Sequence, residues 1–238
     1  MTQMDPWLLA GAVYGGSLLH VLGYLLYIRY TLRGEVRPNP TTWLMWAYGT
    51  ALVVLLEWDQ EAAAAVLLLP AVCAACSIAV AFLCWRRGRL RWPERRSDQA
   101  AFVLDLLLTG VYLLIVLLAA QGWTSAGDDT VAKAIVLVAV SGSTAVSYWP
   151  ILRATRRNPD NEHWLPWTVW TAAYSFLLIA TVATHGSSIY GLQFWIYPVS
   201  CLVLTAAVGL YSVGTWMPRR ATAKHEMAKR QMAQRQIA

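Results

Sequence analysis

Charge is scarce in this chain. Of 238 residues only 13% are charged, while 58% are hydrophobic. That balance excludes an ordinary soluble domain. Histidine is scarce too, at four residues. His20, His163, His185 and His225 supply no facing axial pairs for two haems. His163 follows Glu162 without a second histidine at metal spacing. The last apolar run has no lysine, which excludes a retinal Schiff base. Neither G-x-S-x-G nor a phosphate-binding P-loop occurs, so no enzyme is expected and no cofactor is implied. Cysteine is limited to four residues. Cys73 and Cys76 form a C-x-x-C that invites a redox reading. Cys84 and Cys201 also lie within or beside apolar runs, so no loop cysteine remains to shuttle electrons. The segment before the first apolar run lacks a basic region, and that run is of spanning length. A cleavable signal peptide is therefore not expected.

What the chain has in abundance is long apolar runs and tryptophan, thirteen in all. Seven runs, at about 7–29, 43–58, 62–85, 100–122, 131–155, 164–184 and 190–216, approach the ~20 residues that cross a bilayer. The second run is short and ends in an acidic cluster, with Trp43 and Trp58 framing it. Basic residues alternate with the runs. Arg29, Arg33 and Arg37 follow the first. Arg86, Arg87, Arg89, Arg91, Arg95 and Arg96 follow the third. Arg153, Arg156 and Arg157 follow the fifth, and Arg219, Arg220, Lys224, Lys229, Arg230 and Arg235 fill the tail. Only Lys133 falls on the other side, with Asp5, Glu57, Asp59, Glu61, Asp128 and Asp129. This bias places the N-terminus outside and the C-terminus in the cytoplasm, as an odd number of spans requires. The net charge of +6 then faces anionic lipid, and no nucleic-acid partner is expected.

The same pattern occurs twice. Trp43-Leu44-Met45-Trp46 and Trp164-Leu165-Pro166-Trp167 each open an apolar run. With these superposed, Thr50 matches Thr171 and Leu56 matches Leu177. Upstream, Ser17, Tyr24, Arg29 and Thr31 match Ser141, Tyr148, Arg153 and Thr155. Downstream, Pro70, Cys73, Ala79 and Val80 match Pro198, Cys201, Ala207 and Val208. Internal repeats in membranes are a signature of transporters. The expected organisation is a first three-helix repeat with its basic linker (1–96), an inverting linker helix (97–129), a second three-helix repeat (130–217) and a basic cytoplasmic tail (218–238). The fold class is all-α integral membrane: seven helices as 3+1+3, two parallel bundles joined by one inverting helix. The tail reads equally as a basic surface helix or as an unstructured segment.

This arrangement resembles the SWEET sugar transporters, the PQ-loop transporters and the KDEL receptors. Trp149-Pro150-Ile151-Leu152-Arg153-Ala154-Thr155-Arg156-Arg157-Asn158-Pro159 is similar to the PQ-loop end of a first helix. Arg37-Pro38-Asn39-Pro40-Thr41-Thr42-Trp43-Leu44-Met45-Trp46 resembles the start of the second helix in bacterial PQ-loop-like proteins. The Pro-Gln pair itself is absent: Pro150-Ile151 stands in the second repeat and Leu26-Tyr27 in the first. The resemblance implies a multi-pass protein of the bacterial inner membrane. It implies transport of a small solute, or, as in the KDEL receptors, reception without transport.

Several residues are candidates for the chemistry. Pro70 and Pro198 lie at equivalent depths, and paired kinks suit rocking around a central site. Pro150 has no partner in the first repeat, so the halves are expected to be unequal on their inner side; Pro166 fits a first helical turn. Trp46 and Trp167 are walls or gates of a pocket if they point between the halves. Alternatively, with Trp43 and Trp164 near helix starts, they form an aromatic belt at the membrane surface. His20 is deep in the first run, where an ionisable group marks function or bonds a neighbouring helix. Ser17 and Ser141 hydrogen-bond a ligand or allow close helix packing. Tyr24 and Tyr148 extend the aromatic set. Asp105 is the one carboxylate well inside the fourth run, structural or part of a proton path. Glu57, Asp59 and Glu61 read as a solvated rim. The expected function is alternating-access transport of a sugar- or metabolite-like solute. The other reading is a receptor or accessory subunit of a larger membrane complex, or a homo-oligomer.

Overall fold

The computed structural model describes residues 5–88, 92–93, 95–123, 126–185 and 193–213. Arg89, Arg91 and the basic tail lie outside the described residues, as do the side chains of Asp128 and Asp129. Every regular element among the described residues is helical. The long elements are α1 (Pro6–Leu32), α2 (Pro40–Asp59), α3 (Ala64–Arg86), α4 (Arg96–Ala120), α5 (Ala126–Val146), the short α6 (Trp149–Arg157), α7 (Trp164–His185) and α8 (Gln193–Val213).

The first two helices begin alike. Asp5 accepts a hydrogen bond from the Trp7 amide at 2.8 Å, and Asn39 accepts one from the Thr42 amide at 3.2 Å. A proline follows each cap, where its missing N–H has no intrahelical partner to lose. Glycines 34, 88 and 122 stand just beyond α1, α3 and α4 with positive φ, where a side chain would strain the turn.

Among the described residues, six stretches are long and apolar enough to cross a membrane: α1, α3, α4, the α5–α6 segment from Thr130 to Arg157, α7 and α8. The seventh expected run forms α2, a helix of 20 residues, but it falls short of the others in apolar density. Its setting accounts for that. Ten of its 20 residues are buried inside the protein, among them Trp43, Trp46, Thr50 and Glu57. A helix enclosed by other helices does not need a lipid-facing apolar surface. Glu57 departs from the expected solvated rim: it is 1% exposed. Asp59 instead pairs with Lys133 at 2.9 Å, and Glu61 is exposed.

α1, α2 and α3 pack together, with α3 against both of the others. α1 runs along α7, and α2 runs along α5. Both contacts use glycine. A Cβ on Gly16 would meet the Phe176 side chain and the Ala173 carbonyl of α7, and one on Gly23 would lie 3.0 Å or less from three ring atoms of Trp170. A Cβ on Gly49 would lie 3.1 Å from the Thr144 hydroxyl of α5. Small residues let helix backbones approach where no hydrophobic drive exists between helices in lipid. α7 and α8 are joined by a Thr171–Thr205 hydrogen bond of 3.2 Å. α4 lies against α5 and leaves Leu104, Leu107, Leu113 and Leu117 exposed.

The fifth expected run is not one straight helix. The chain turns at Ser147 and Tyr148 before α6 resumes. Pro150 explains the break, since it has no N–H to offer the carbonyl of Val146 and its ring crowds that turn. The matching part of the chain, α1, is unbroken over 27 residues.

Candidate functional site

The helices meet around a small cavity at the centre of the bundle. It is lined by His20 and Tyr24 of α1, Trp46 and Thr50 of α2, Cys73 of α3, and Thr144 of α5. Tyr148, Trp167, Trp170 and Tyr174, with Cys201 and Thr205 of α8, complete the wall. Its volume is about 10 Å³, room for roughly one water. The wall is a continuous aromatic cluster. Trp46 lies 4.5 Å from Tyr148 and 6.0 Å from Trp167 between ring centroids, and Trp170 lies 4.9 Å from Tyr24. Most of these pairs are tilted or edge-to-face, the arrangement the ring quadrupoles favour.

Burial decides between the two sequence readings of the tryptophans. Trp43, Trp46 and Trp167 are all buried, and only Trp164 is half-buried. The first three face other helices and do not form a surface belt. Their indole rings pack inward because α2 and α7 are each covered on that face by a glycine-bearing or aromatic helix.

His20 is 1% exposed, and neither ring nitrogen has a hydrogen-bond partner. The expected bond to a neighbouring helix is therefore not made by the ring. Its backbone carbonyl accepts from Trp170 Nε1 at 3.2 Å. The imidazole sits edge-on to Tyr24 and Tyr174, at 5.3 and 5.1 Å. Trp46 Nε1 on the same cavity is also unpartnered. Buried polar atoms are nearly always bonded, so orphans gathered at one cavity are what a ligand with both donors and acceptors would satisfy. The remaining polar groups are engaged. Tyr24 Oη bonds Ser77 Oγ at 2.7 Å, Cys73 Sγ lies 3.6 Å from Tyr174 Oη, and Tyr174 Oη lies 3.4 Å from Tyr197 Oη.

Ser17 and Ser141 are buried but do not line the cavity. Ser17 Oγ turns back to the Val13 carbonyl at 2.8 Å. Pro70 and Pro198 are buried inside α3 and α8, and Pro166 falls in the first turn of α7. Asp105 is buried one layer behind the cavity, beside Gly49 and Ser143. Cys73 and Cys201 both reach the cavity, whereas Cys76 is half-buried and does not. The four cysteines are free thiols. No group of three metal-ligating side chains occurs among the described residues.

One cluster gives no strong sequence signal. Glu162, between α6 and α7, reads as a loop charge but is buried. It accepts hydrogen bonds from Tyr27 Oη at 3.1 Å and from Trp167 Nε1 at 3.0 Å, and Tyr27 Oη accepts one from Trp43 Nε1 at 3.2 Å. Burial pushes its carboxyl up to about 8, against the pull of the Trp167 and Tyr27 donors. The network closes the end of the bundle that carries Arg33, Arg87 and Arg157. Nearby, the Arg37 amide bonds the Asn161 carbonyl at 2.9 Å, and Tyr30 stacks on His163 at 4.0 Å. Trp170, also missed, continues the three-residue spacing of Trp164 and Trp167, and that spacing was the available signal.

The chain matches no family of known proteins, no curated protein and no solved structure.

Proposed function

We propose that the chain is a seven-span transporter of a small solute in the bacterial inner membrane, built as 3+1+3 and working by alternating access. The observation that carries this reading is the central cavity with its orphaned His20 imidazole. Residues matched between the two repeats share its wall: Tyr24 with Tyr148, Trp46 with Trp167, Cys73 with Cys201, and His20 with Thr144. A site where repeats meet at mid-membrane is where such transporters hold solute. Aromatic faces with a few hydrogen-bonding groups suit a sugar-like molecule. At about 10 Å³ the cavity is closed on any such solute, so this is the shut conformation. Opening separates α1 from α7 or α2 from α5. The Glu162 network serves as the inner latch, and the break at Ser147–Tyr148 lets α6 move without dragging α5. The basic loops put the latch on the cytoplasmic side.

The closeness of the central packing favours one other reading, a receptor or accessory subunit whose core does not open. Proteoliposomes separate the two. Uptake of labelled monosaccharides and amino acids is expected for the wild type. His20→Ala should abolish it; the space left by the buried ring should also cost about 2–5 kcal/mol of stability, so uptake is compared at equal amounts of folded protein. Unchanged uptake in His20→Ala removes the site. Absence of uptake across the panel removes transport. Orientation has its own test: Ala126→Cys should react with an impermeant thiol reagent in intact cells and Gly88→Cys should not, and the reverse pattern overturns the orientation.

A further inference from the structure

The molecule carries a second, larger recess remote from the central cavity. A cleft of about 480 Å³ lies between α6 and α8, lined by Trp149, Leu152, Arg153, Arg156, Arg157, Ala207 and Tyr211. Its chemistry is divided. On α6, positions 153, 156 and 157 fall on one helix face, so three guanidinium groups converge at one end. Arg153 is held in place by Asp98 at 2.9 Å. Arg156 and Arg157 make no ion pair among the described residues, and no carboxylate lines the cleft. The rest of the lining, Trp149, Leu152, Ala207 and Tyr211, carries no charge. Beyond the cleft, Val203 and Val199 continue the outward face of α8 at four-residue spacing from Ala207 and Tyr211, and both are exposed. Ala207 is small enough to leave the recess open, and exposed Trp149 flanks it.

We propose that this cleft binds one anionic phospholipid, its phosphate held by Arg156 and Arg157 and an acyl chain lying along Val203 and Val199. A soluble anion would use the arginines but leave the apolar stripe unexplained. A zwitterionic lipid would use the stripe but bring no net charge to the arginines. Planar guanidinium groups pair with phosphate oxygens in a two-pronged way, and basic recesses between membrane helices take such headgroups. Seating a lipid here bridges α6 and α8 just beyond the turn at Ser147 and Tyr148, so the bound lipid steadies the short helix against α8. The inference rests on the chain being a membrane protein and is independent of transport.

The test uses the full-length protein in a neutral detergent, with thermal unfolding followed as phosphatidylglycerol, phosphatidylcholine or inorganic phosphate is added. Phosphatidylglycerol should raise the midpoint saturably; the other two should not. Arg156→Gln/Arg157→Gln should weaken the apparent affinity about 30-fold, equivalent to about 2 kcal/mol for two arginines at a membrane surface. Ala207→Trp, which fills the cleft without changing charge, should weaken it as well. Arg33→Gln/Arg86→Gln removes the same charge elsewhere and should leave the affinity as it is. Equal loss in that control pair would mean diffuse attraction and overturn the site. An equal response to inorganic phosphate would overturn the lipid assignment, and so would an unaltered response in both cleft variants.

Discussion

The contact of α1 with α7 and the contact of α2 with α5 occupy matching places in the two sequence repeats, yet they are filled differently. Between α1 and α7, Trp170 lies over Gly23, and the orphaned His20 stands beside it. Between α2 and α5 the corresponding positions are Gly49, where the other contact has Trp170, and Thr144, where it has His20. The Thr144 hydroxyl bonds its own helix at the Val140 carbonyl. The ends differ as well. The first contact is shut at the basic end by buried Glu162. The second is pinned at the opposite end by the partly covered Asp59–Lys133 pair. The first contact thus sets an unbonded imidazole beside a tightly seated indole, and the second sets a bonded hydroxyl over a glycine with more room. The unbroken α1 and the broken α5–α6 segment follow the same division.

The largest expected effect is at the buried end. Glu162→Ala leaves the Tyr27 and Trp167 donors without an acceptor, at about 1–3 kcal/mol for each buried group. Glu162→Gln keeps the shape and should cost much less. The pH dependence sharpens this. The folded carboxyl is raised above its ordinary value, from 4.5 to about 8. Its contribution to closure is therefore complete below 4.5 and is lost as pH rises through about 8. Wild-type thermal midpoints should fall over that window and Glu162→Gln should lack this component. Parallel profiles would remove Glu162 as the latch.

Next in size is the packing contrast. Gly23→Ala forces a methyl group into the Trp170 ring, and overpacking of that kind costs about 1–3 kcal/mol. Gly49→Ala meets only a hydroxyl at 3.1 Å, and the gain from replacing a helical glycine, about 0.5–1 kcal/mol, offsets much of that. Thermal unfolding of the two variants side by side checks the order, and a larger loss at Gly49 breaks the comparison. The smallest effect belongs to the Asp59–Lys133 pair. Lys133→Met should cost about 1 kcal/mol, the upper end for surface pairs, because the side chains are only 15% and 30% exposed. A loss exceeding that of Glu162→Ala in the same assay would reverse which end holds the bundle shut.

Much of the site was legible from repetition. His20, Tyr24, Tyr148, Trp46 and Trp167 stood out because they recur or because an imidazole is rare at that depth, and all five line the cavity. Ser17 and Ser141 recur too, but recurrence does not say which way a hydroxyl turns. Ser17 turns along its own helix. Glu162 could not be read as buried, because its environment comes from Tyr27 and Trp43, more than a hundred residues earlier in the chain. Glu57 reads as solvated for the same reason: its neighbours in sequence are charged, but its neighbours in space are helices.

Local chemistry by itself determined the helices. Apolar runs of spanning length, the Asp5-Pro6 and Asn39-Pro40 starts, the glycines after α1, α3 and α4, and the break at Pro150 all act within a few residues of where they stand. Tertiary structure alone decided which tryptophans face inward, that the central cavity is closed, that the His20 ring stays unbonded and that Glu162 lies out of water. Those properties depend on which helix lies opposite. In a bilayer that choice is made by close packing and hydrogen bonding between distant segments, because lipid satisfies an apolar face as well as another helix does.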